Sequence, residues 1–566
     1  MHRIHQFALL TLGAALLTAC GKSQDSADTP LAFAPADTAY AYANLEPLPA
    51  AVTDQWSKRM QEYWPSVFGM YDAMLQHASD KGDAETLHFV KIARVLLDEI
   101  KTRDSLDKWR EIGFKPDARV AFYGVGMVPV MRLELGDPAA FRAEVARVEA
   151  KLGEKLPLAK TGNQEYWQLG TDKLVAVVAI EGTHLVATLV PTNASDALKQ
   201  TLLGITRPAQ SLAASGALQA LAKQYGYSPY GEGFIDVVRL TERLSVAPSG
   251  SDAEFAKALD LPATNTDPTC RAEFVEIAHK FPRLVAGAEE LTTQRMRVGA
   301  QLEIEPGLAQ QIASAVGAAP GSGAAGAGML DISVSLPVLK LKDFWIKQAD
   351  AVSAKPFACP GLTSFNDDYR QSKAKIDVTV PPPFSDLTGV RFTLDTFDMN
   401  AKAGAMPNAT GKFLVASNNP MAALAMAQLA LPGMGALKLS ADGKPQPVPL
   451  PAGLVPAGTP PLFAAMSDKA IALAAGAGED ATLGGYLAAP AASSPVFLRM
   501  YFSGKLYSVM AQSFDKFKAA LPAEKRAELD QQSRMFAIYE KWLRSVEIVL
   551  VATPSGIALH ETVEQN

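Results

Sequence analysis

The sequence predicts an α+β fold, with antiparallel sheets packed against helices. Three observations predict it. Short apolar runs alternate with period two and pair across tight turns, as at Leu174 to Ile180 and Leu185 to Val190 about Glu181-Gly182-Thr183. Between them lie amphipathic stretches at helical spacing. Hydrophobic residues make up 48% and charged residues 20% of the 566, an ordinary balance for a chain with large packed cores.

The elements follow in order. Ala39-Tyr40-Ala41-Tyr42-Ala43-Asn44 alternates, with Tyr40, Tyr42 and Asn44 on one face and alanines on the other. A long helix is expected from Ala50 to His77, carrying Trp56, Met60, Tyr63, Val67, Tyr71 and Met74 in a stripe widened by Trp64 and Phe68, with a kink or break at Pro65. Core packing is the commoner explanation of such a stripe; the alternative is a lipid or peptide groove, with Trp56, Tyr63, Trp64 and Phe68 as the candidate binding face. A second helix covers Ala84 to Lys101 with Phe89, Ile92, Leu96 and Ile100 inward.

Strands at Arg119 to Gly124 and Val128 to Leu135 lead into a helix at Asp137-Pro138, where Asp caps and Pro fits the first turn. The hairpin above follows, then a short helix at Asn193 to Asp196, a helix near Ala213 to Gln224, and a strand at Gly233 to Val238 entering another helix. A similar order recurs later. A strand at Lys412 to Ser417, a helix at Asn419-Pro420, a hairpin about Ser467-Asp468-Lys469, a short helix at Glu479-Asp480 and a strand at Val496 to Phe502 predict an internal duplication over 119–245 and 412–515.

The intervening segment holds a helix from Cys270 to Phe281 with Phe274, Ile277 and Phe281 inward, a strand at Arg295 to Ile304, a Gly/Ala-rich loop over Ala318 to Gly328, and a strand at Asp331 to Leu336. Pro420 to Leu437 reads as a buried helix. The expected organisation is residues 1–19 as a signal peptide, 20–30 as a tether, 31–262 as an N-terminal module, 263–385 as a middle segment and 386–566 as a C-terminal module.

The first nineteen residues have a cationic start and an uncharged apolar run, Phe7 to Leu17, too short to remain as a bilayer span. Leu17-Thr18-Ala19-Cys20 resembles the lipobox of bacterial lipoproteins. That resemblance implies cleavage before Cys20, acylation of Cys20 with palmitate-type chains, and an anchor in the membrane. Gly21 rather than Asp after Cys20 implies the outer membrane, with the body in the periplasm. Two of the three cysteines then remain, Cys270 and Cys359, and an oxidising compartment favours a disulfide between them.

Other chemistries find little support. A net charge of −6 without a basic stripe argues against nucleic acid. Gly321-Ser322-Gly323-Ala324-Ala325-Gly326 matches a dinucleotide fingerprint, but it follows a helix and precedes a strand, the reverse of the required order. Ser513-Phe514-Asp515-Lys516 and Lys160-Thr161-Gly162 stand in the wrong order for a penicillin-binding enzyme, the second in an expected loop. Asn366-Asp367-Asp368 reads as a solvated turn and His184 as a surface or packing residue. No catalytic residue, metal ligand or cofactor is implied.

Pro35-Ala36-Asp37-Thr38, Cys270-Arg271-Ala272-Glu273 and Pro282-Arg283-Leu284 resemble segments of uncharacterised bacterial envelope proteins grouped as a domain of unknown function. That family carries no established activity. The expectation is a lipid-anchored envelope protein that binds a partner protein, lipid or cell-wall component; the second expectation is a periplasmic hydrolase with an unrecognised site.

Overall fold

The computed structural model describes residues 28–82, 84–170, 173–260, 267–398, 408–430, 434–449, 459–518 and 521–566. Cys20 and the expected signal peptide lie outside these residues. The chain forms two compact units, Met1–Thr266 with Arg283–Val298, and Asp267–Pro282 with Gly299–Asn566. Residues 263–385, expected as a separate middle segment, are divided between them.

In the first unit the strands are β1 (Tyr40–Ala43), β2 (Val120–Val125), β3 (Val128–Glu134), β4 (Leu158–Thr161), β5 (Gln164–Leu169), β6 (Leu174–Glu181), β7 (His184–Pro191), β8 (Glu232–Asp236) and β9 (Arg283–Leu291). They pair antiparallel in the order β9-β8-β1-β2-β3-β7-β6-β5-β4. The first strand of the chain therefore sits mid-sheet, with Ala41 opposite Tyr123 on one side and Phe234 on the other. Its alanines are buried as their alternation predicts, which lets helices and neighbouring strands approach closely.

The helices of this unit follow the capping rules. α1 (Ala50–Lys81) and α2 (Ala84–Lys101) form a hairpin, and α3 (Leu106–Glu111) is capped by Ser105. α4 (Pro138–Leu152) starts where Asp137 accepts from the amides of Ala139 and Ala140. Next come α5 (Asp196–Leu203), α6 (Leu212–Ser215), α7 (Ala217–Tyr225), α8 (Val237–Ser245) and α9 (Gly250–Ala258). The single helix expected over 213–224 is two, because Gly216 takes φ +63° between them.

β10 (Arg295–Glu303) bridges the sequence boundary of the units. The second unit's strands are β11 (Leu330–Ser335), β12 (Leu387–Asp398), β13 (Asn408–Ser417), β14 (Gln446–Pro447), β15 (Leu462–Met466), β16 (Ala470–Ala475), β17 (Val496–Ser503), β18 (Leu543–Thr553) and β19 (Gly556–Gln565). They pair antiparallel in the order β19-β18-β17-β11-β12-β13-β16-β15-β14. Its helices are α10 (Pro268–Lys280), α11 (Pro306–Ala315), α12 (Val338–Ala354), α13 (Thr363–Ile376), α14 (Pro420–Ala430), α15 (Asp480–Leu487), α16 (Gly504–Lys518) and α17 (Ala523–Trp542).

Matched outward from the middle strand, β9-β8-β1-β2-β3-β7-β6-β5 corresponds to β18-β17-β11-β12-β13-β16-β15-β14. The connections agree as well. Among the described residues of both units, helices follow the first strand (three in the first unit, two in the second), a single α-helix follows the third, helix follows the hairpin (three helices in the first unit, α15 alone in the second), and helices follow β8 and β17.

Several expectations are corrected. α1 passes through Pro65 without a break, since a proline removes one ladder bond and the flanking turns are long. α2 buries Val90 and Leu97 against Leu75, and Ile92 against Val148 and Leu152, while Phe89 and Leu96 are exposed. The helix serves two partners, so no one apolar stripe describes it. In α10, Cys270 and Ala278 are buried and Phe274 is exposed. Asn366-Asp367-Asp368 lies on α13, not in a turn; Asp367 pairs with Arg370 one turn on. Lys160-Thr161 lies on β4. α14 is not a buried helix: Leu424 faces inward while Met421, Met426 and Leu429 are exposed.

The most instructive correction concerns which face is buried. Along β11, Asp331, Ser333 and Ser335 are buried while Ile332 and Val334 are only half-buried. On β12, Arg391 and Thr393 are buried while Phe392 is exposed. Period-two alternation places side chains on two faces without saying which face a helix covers.

Cys270 and Cys359 are disulfide-bonded within the second unit, 89 residues apart, beside Leu362 and Ile277. In the chain-entropy account a loop of this length stabilises by about 4–5 kcal/mol. Cys270→Ala/Cys359→Ala should lose that order of stability in denaturant unfolding, and non-reducing peptide mapping of the parent chain should recover the linked pair. An unchanged unfolding midpoint would remove the constraint.

Candidate functional site

Two recesses stand out, one in each unit. In the first, α1 and α2 leave a groove of about 350 Å³ lined by Gln61, Trp64, Pro65, Phe68, Gly69, Asp72, Lys101, Arg103 and Asp104. Trp64 and Phe68 stack in parallel with ring centroids 5.2 Å apart, because one helical turn separates them. Of the expected binding face, Trp64 and Phe68 line this groove. Trp56 and Tyr63 are half-buried and do not.

The second recess, about 420 Å³, lies wholly within the second unit, between the buried polar face of its sheet and α15. Its walls are Arg391, Asp395, Lys412, Glu479, Thr482 and Tyr486, with Ala324, Ala327, Gly485 and Ala489 supplying small apolar surface. The polar floor is built on Asp331, which is 0% exposed on the middle strand. Asp331 Oδ1 and Oδ2 accept from Arg391 Nε at 3.0 Å and Nη2 at 2.7 Å, and Oδ2 lies 3.4 Å from Arg499 Nη1. Thr393 Oγ1 and the Ala327 amide also donate to this carboxylate. Arg499 Nε donates to Glu547 at 2.6 Å.

Strand register explains the assembly. Asp331 stands opposite Thr393, and Ser333 opposite both Arg391 and Arg499, so β11, β12 and β17 all contribute to one face. Arg391 is 2% exposed; its guanidinium carbon lies 4.4 Å from the centre of the Tyr486 ring. Burial opposes the Arg391 charge, but the Asp331 bonds outweigh it and hold the guanidinium above its ordinary value. Its Nη1 is buried with no hydrogen-bond partner.

Lys412 forms the opposite wall. Its ammonium donates to Asp395 at 2.7 Å and to Glu479. Burial pushes Lys412 down, and the two carboxylates more than reverse this, so the ammonium stays charged. The Tyr486 phenol is pushed well up by burial and remains protonated. The four charged lining residues balance: Arg391 and Lys412 against Asp395 and Glu479. What the recess presents is fixed donors and acceptors in a neutral, largely desolvated frame.

Sequence reasoning placed Asp331, Lys412 and Glu479 at element starts but gave them no role, and it did not single out Arg391 at all. The available signal was the charge interrupting otherwise apolar strand segments, as in Gly389-Val390-Arg391-Phe392-Thr393. The Gly321 to Gly326 loop does follow a helix and precede a strand. It packs on this site: a Cβ at Gly321 would fall 2.3 Å from Arg391 Nη1, and one at Gly326 would fall 2.2 Å from the Tyr501 ring. Ser513 lies within α16, its hydroxyl donating to the Val509 carbonyl.

Among the buried ionisable groups of the first unit, His184 and Glu232 are moved far from their ordinary values. His184 is buried edge-on to Phe33, at 5.2 Å, and burial with the nearby Arg132 charge lowers it to about 4. Glu232 is buried, with Oε2 accepting from the Gly231 amide. Burial raises its carboxyl to about 8; the Gly231 bond opposes the rise and Glu46 adds to it. Neither lines the two recesses. Among the described residues no group of three or more His, Cys, Asp or Glu is placed to hold a metal ion, and no helix is long and apolar enough to cross a membrane.

Comparison with known proteins adds no assignment: no family model, no curated protein and no solved structure matches the chain.

Asp331→Asn leaves two buried guanidinium groups without their shared counter-charge. It should cost about 3–5 kcal/mol in denaturant unfolding; a loss below 1 kcal/mol would show that the cluster is not what holds the face. Glu232 gives a pH signature of known sign. Its folded value is raised above the unfolded one, so its contribution is fully present below about pH 4 and is lost as pH rises through about 8. Glu232→Gln should therefore gain on the parent chain, by a few kcal/mol in order of magnitude, between pH 5 and pH 9. Parallel stability profiles for the two would rule this out.

Proposed function

We propose that this protein is a lipid-anchored envelope lipoprotein whose body is a non-catalytic binding module, with the second unit's recess as its ligand site. The anchor rests on the resemblance of Leu17-Thr18-Ala19-Cys20 to a lipobox. Cys20 precedes Pro30 by ten residues, which reach at most about 35 Å when fully extended. From Pro30 the chain is tied to the first unit, where the Ala36 amide donates to Gln210 and the Leu212 amide to Ala34. An acylated Cys20 would hold that unit close to the bilayer, and by resemblance to lipoprotein sorting the membrane is the outer one, with the body in the periplasm.

The observation that carries the binding reading is the pairing of charges in the recess. A general acid or base works best with a pKa near the operating pH. Here Lys412 and Arg391 are held in their charged forms by carboxylates, and the carboxyl that burial does move toward neutrality, Glu232, belongs to the other unit. Fixed donors and acceptors suit recognition. The shared strand order further supports reading the two units as descendants of one duplicated ancestor.

Cys20→Ala should abolish acylation and release the protein from the lipid anchor. Metabolic labelling with a palmitate analogue, followed by fractionation of the envelope, checks it. An unlabelled parent chain, or a variant still firmly membrane-bound after cleavage, would refute the anchor.

A further inference from the structure

The second unit covers the polar face of its sheet and leaves much of the apolar face open. Strand register makes the open face explicit. Ile548, Met500, Ile332, Phe392, Phe413 and Leu473 stand opposite one another on β18, β17, β11, β12, β13 and β16, so their side chains share one side of the sheet. Leu498, Val334, Val390, Val415 and Ile471 form a second row beside the first. Neither row contains a polar side chain. Phe392 is 40% and Phe413 42% exposed, and the other members are half-buried. One helix lies on this face. Leu424 of α14 shares a cluster with Ala464 and Met466, against which Ile471 and Leu473 pack at the end of the two rows. The helix exposes Met421, Met426 and Leu429, and no charged residue occurs from Pro420 to Leu437. The open floor is thus bordered by an uncharged helix whose methionines adapt their shape to what they meet.

Contiguous exposed apolar surface of this kind marks an interaction site. Its chemistry selects the partner. A protein surface would bring polar groups: even homodimer interfaces are about one-third polar by area, and interfaces carry about one hydrogen bond per 100–200 Å². The two rows offer no side-chain donor or acceptor, and the backbone groups of their strands are engaged in the ladders. A hydrocarbon chain requires neither. Size agrees as well. From β18 to β16 the floor crosses six strands, and the intervals of about 4.8 Å between them make about 24 Å. One acyl chain spans half of a bilayer's hydrocarbon core, about 15 Å. We infer that the apolar face of the second unit, between α14 and β18, is a binding site for an acyl chain of a membrane glycerophospholipid. This goes beyond the recess, which lies on the opposite face of the same sheet. It rests on the proposed anchor only for a supply of lipid close by.

The test feeds a diazirine-bearing fatty acid to cells that express the full chain, irradiates them and maps the adducts by peptide mass spectrometry. Adducts carrying a glycerophosphate group are expected on peptides from β12, β13 and α14. Phe392→Asp/Phe413→Asp places two charges on the floor at exposed positions. It should lower these adducts at least tenfold with an unchanged melting temperature. Should that variant fail to fold, Phe413→Ser alone should lower them at least threefold. Absence of lipid adducts on these peptides overturns the proposal, and a second copy or another protein seated on the face would give that result. Adducts unaltered in a folded variant overturn it too. A crosslink joining these peptides to the Cys20 peptide overturns it in favour of the chain's own anchor as the occupant. The same sample shows whether Cys20 itself carries the probe. Lipid adducts on a chain unlabelled at Cys20 would sustain the face without the anchor, so the two failures are distinguishable.

Discussion

A single carboxylate organises the second unit. Asp331 sits on the middle strand with no exposure and is shared by two arginines, one from each neighbouring strand. Ion pairs of this kind contribute little net stability when compared with apolar packing, because both partners lose their hydration. What they do specify is register. A slip of one residue on β11 would turn Asp331 to the opposite face and leave both guanidinium groups buried without it. The same bidentate grip consumes Nε and Nη2 of Arg391 and leaves only Nη1, aimed away from the carboxylate.

The position of the first strand imposes a second constraint. β1 and β11 are each the earliest strand of their unit, yet each pairs on both sides, with the next strand and with one much later in the chain. Between Ala41 and Phe234, or between Asp331 and Tyr501, well over a hundred residues must be ordered before the second ladder closes. Pairing at such separations is slow because loop-closure entropy must be met before contacts reward it. The residues chosen for these strands differ accordingly. β1 uses alanines that pack with little specificity, whereas β11 uses a charge and two serines, which are costly in any other register.

Much of this fold was legible in the sequence for identifiable reasons. Asx-Pro pairs mark the starts of α4 and α14, since the side chain satisfies an orphan amide and proline has none to lose; the same pair at Asp267-Pro268 starts α10 two residues before the expected Cys270. The hairpin β6–β7 declares itself through alternation about Gly182, whose φ of +57° demands little of a glycine. The site was not legible, and the reason is physical. Alternation along Leu330 to Ser335 is plain, but ordinary inference turns the isoleucine and valine inward, and here the aspartate and serines are inward. Only the partners supplied by β12 and β17, distant in sequence, make that arrangement affordable. Likewise, Trp64 and Phe68 announced a face of α1, but whether a stripe becomes core or groove depends on where α2 crosses it. The disulfide was readable because few cysteines leave few pairings.

The contrast between the units bears on how a recess arises at all. Protein interiors are packed to near crystalline density, so an opening beside a helix has to be maintained by sequence. The first unit shows the default: a phenylalanine enters, its ring is covered on both faces by guanidinium groups, and burial contributes roughly 1.5–3 kcal/mol. The second unit forgoes that contribution by placing glycine and alanine where the aromatic would stand, while buried guanidinium nitrogens without a hydrogen bond occur in both units, on Arg132 and on Arg391. What distinguishes the second unit is therefore the missing apolar surface, which a single larger side chain in place of one of these small residues would restore.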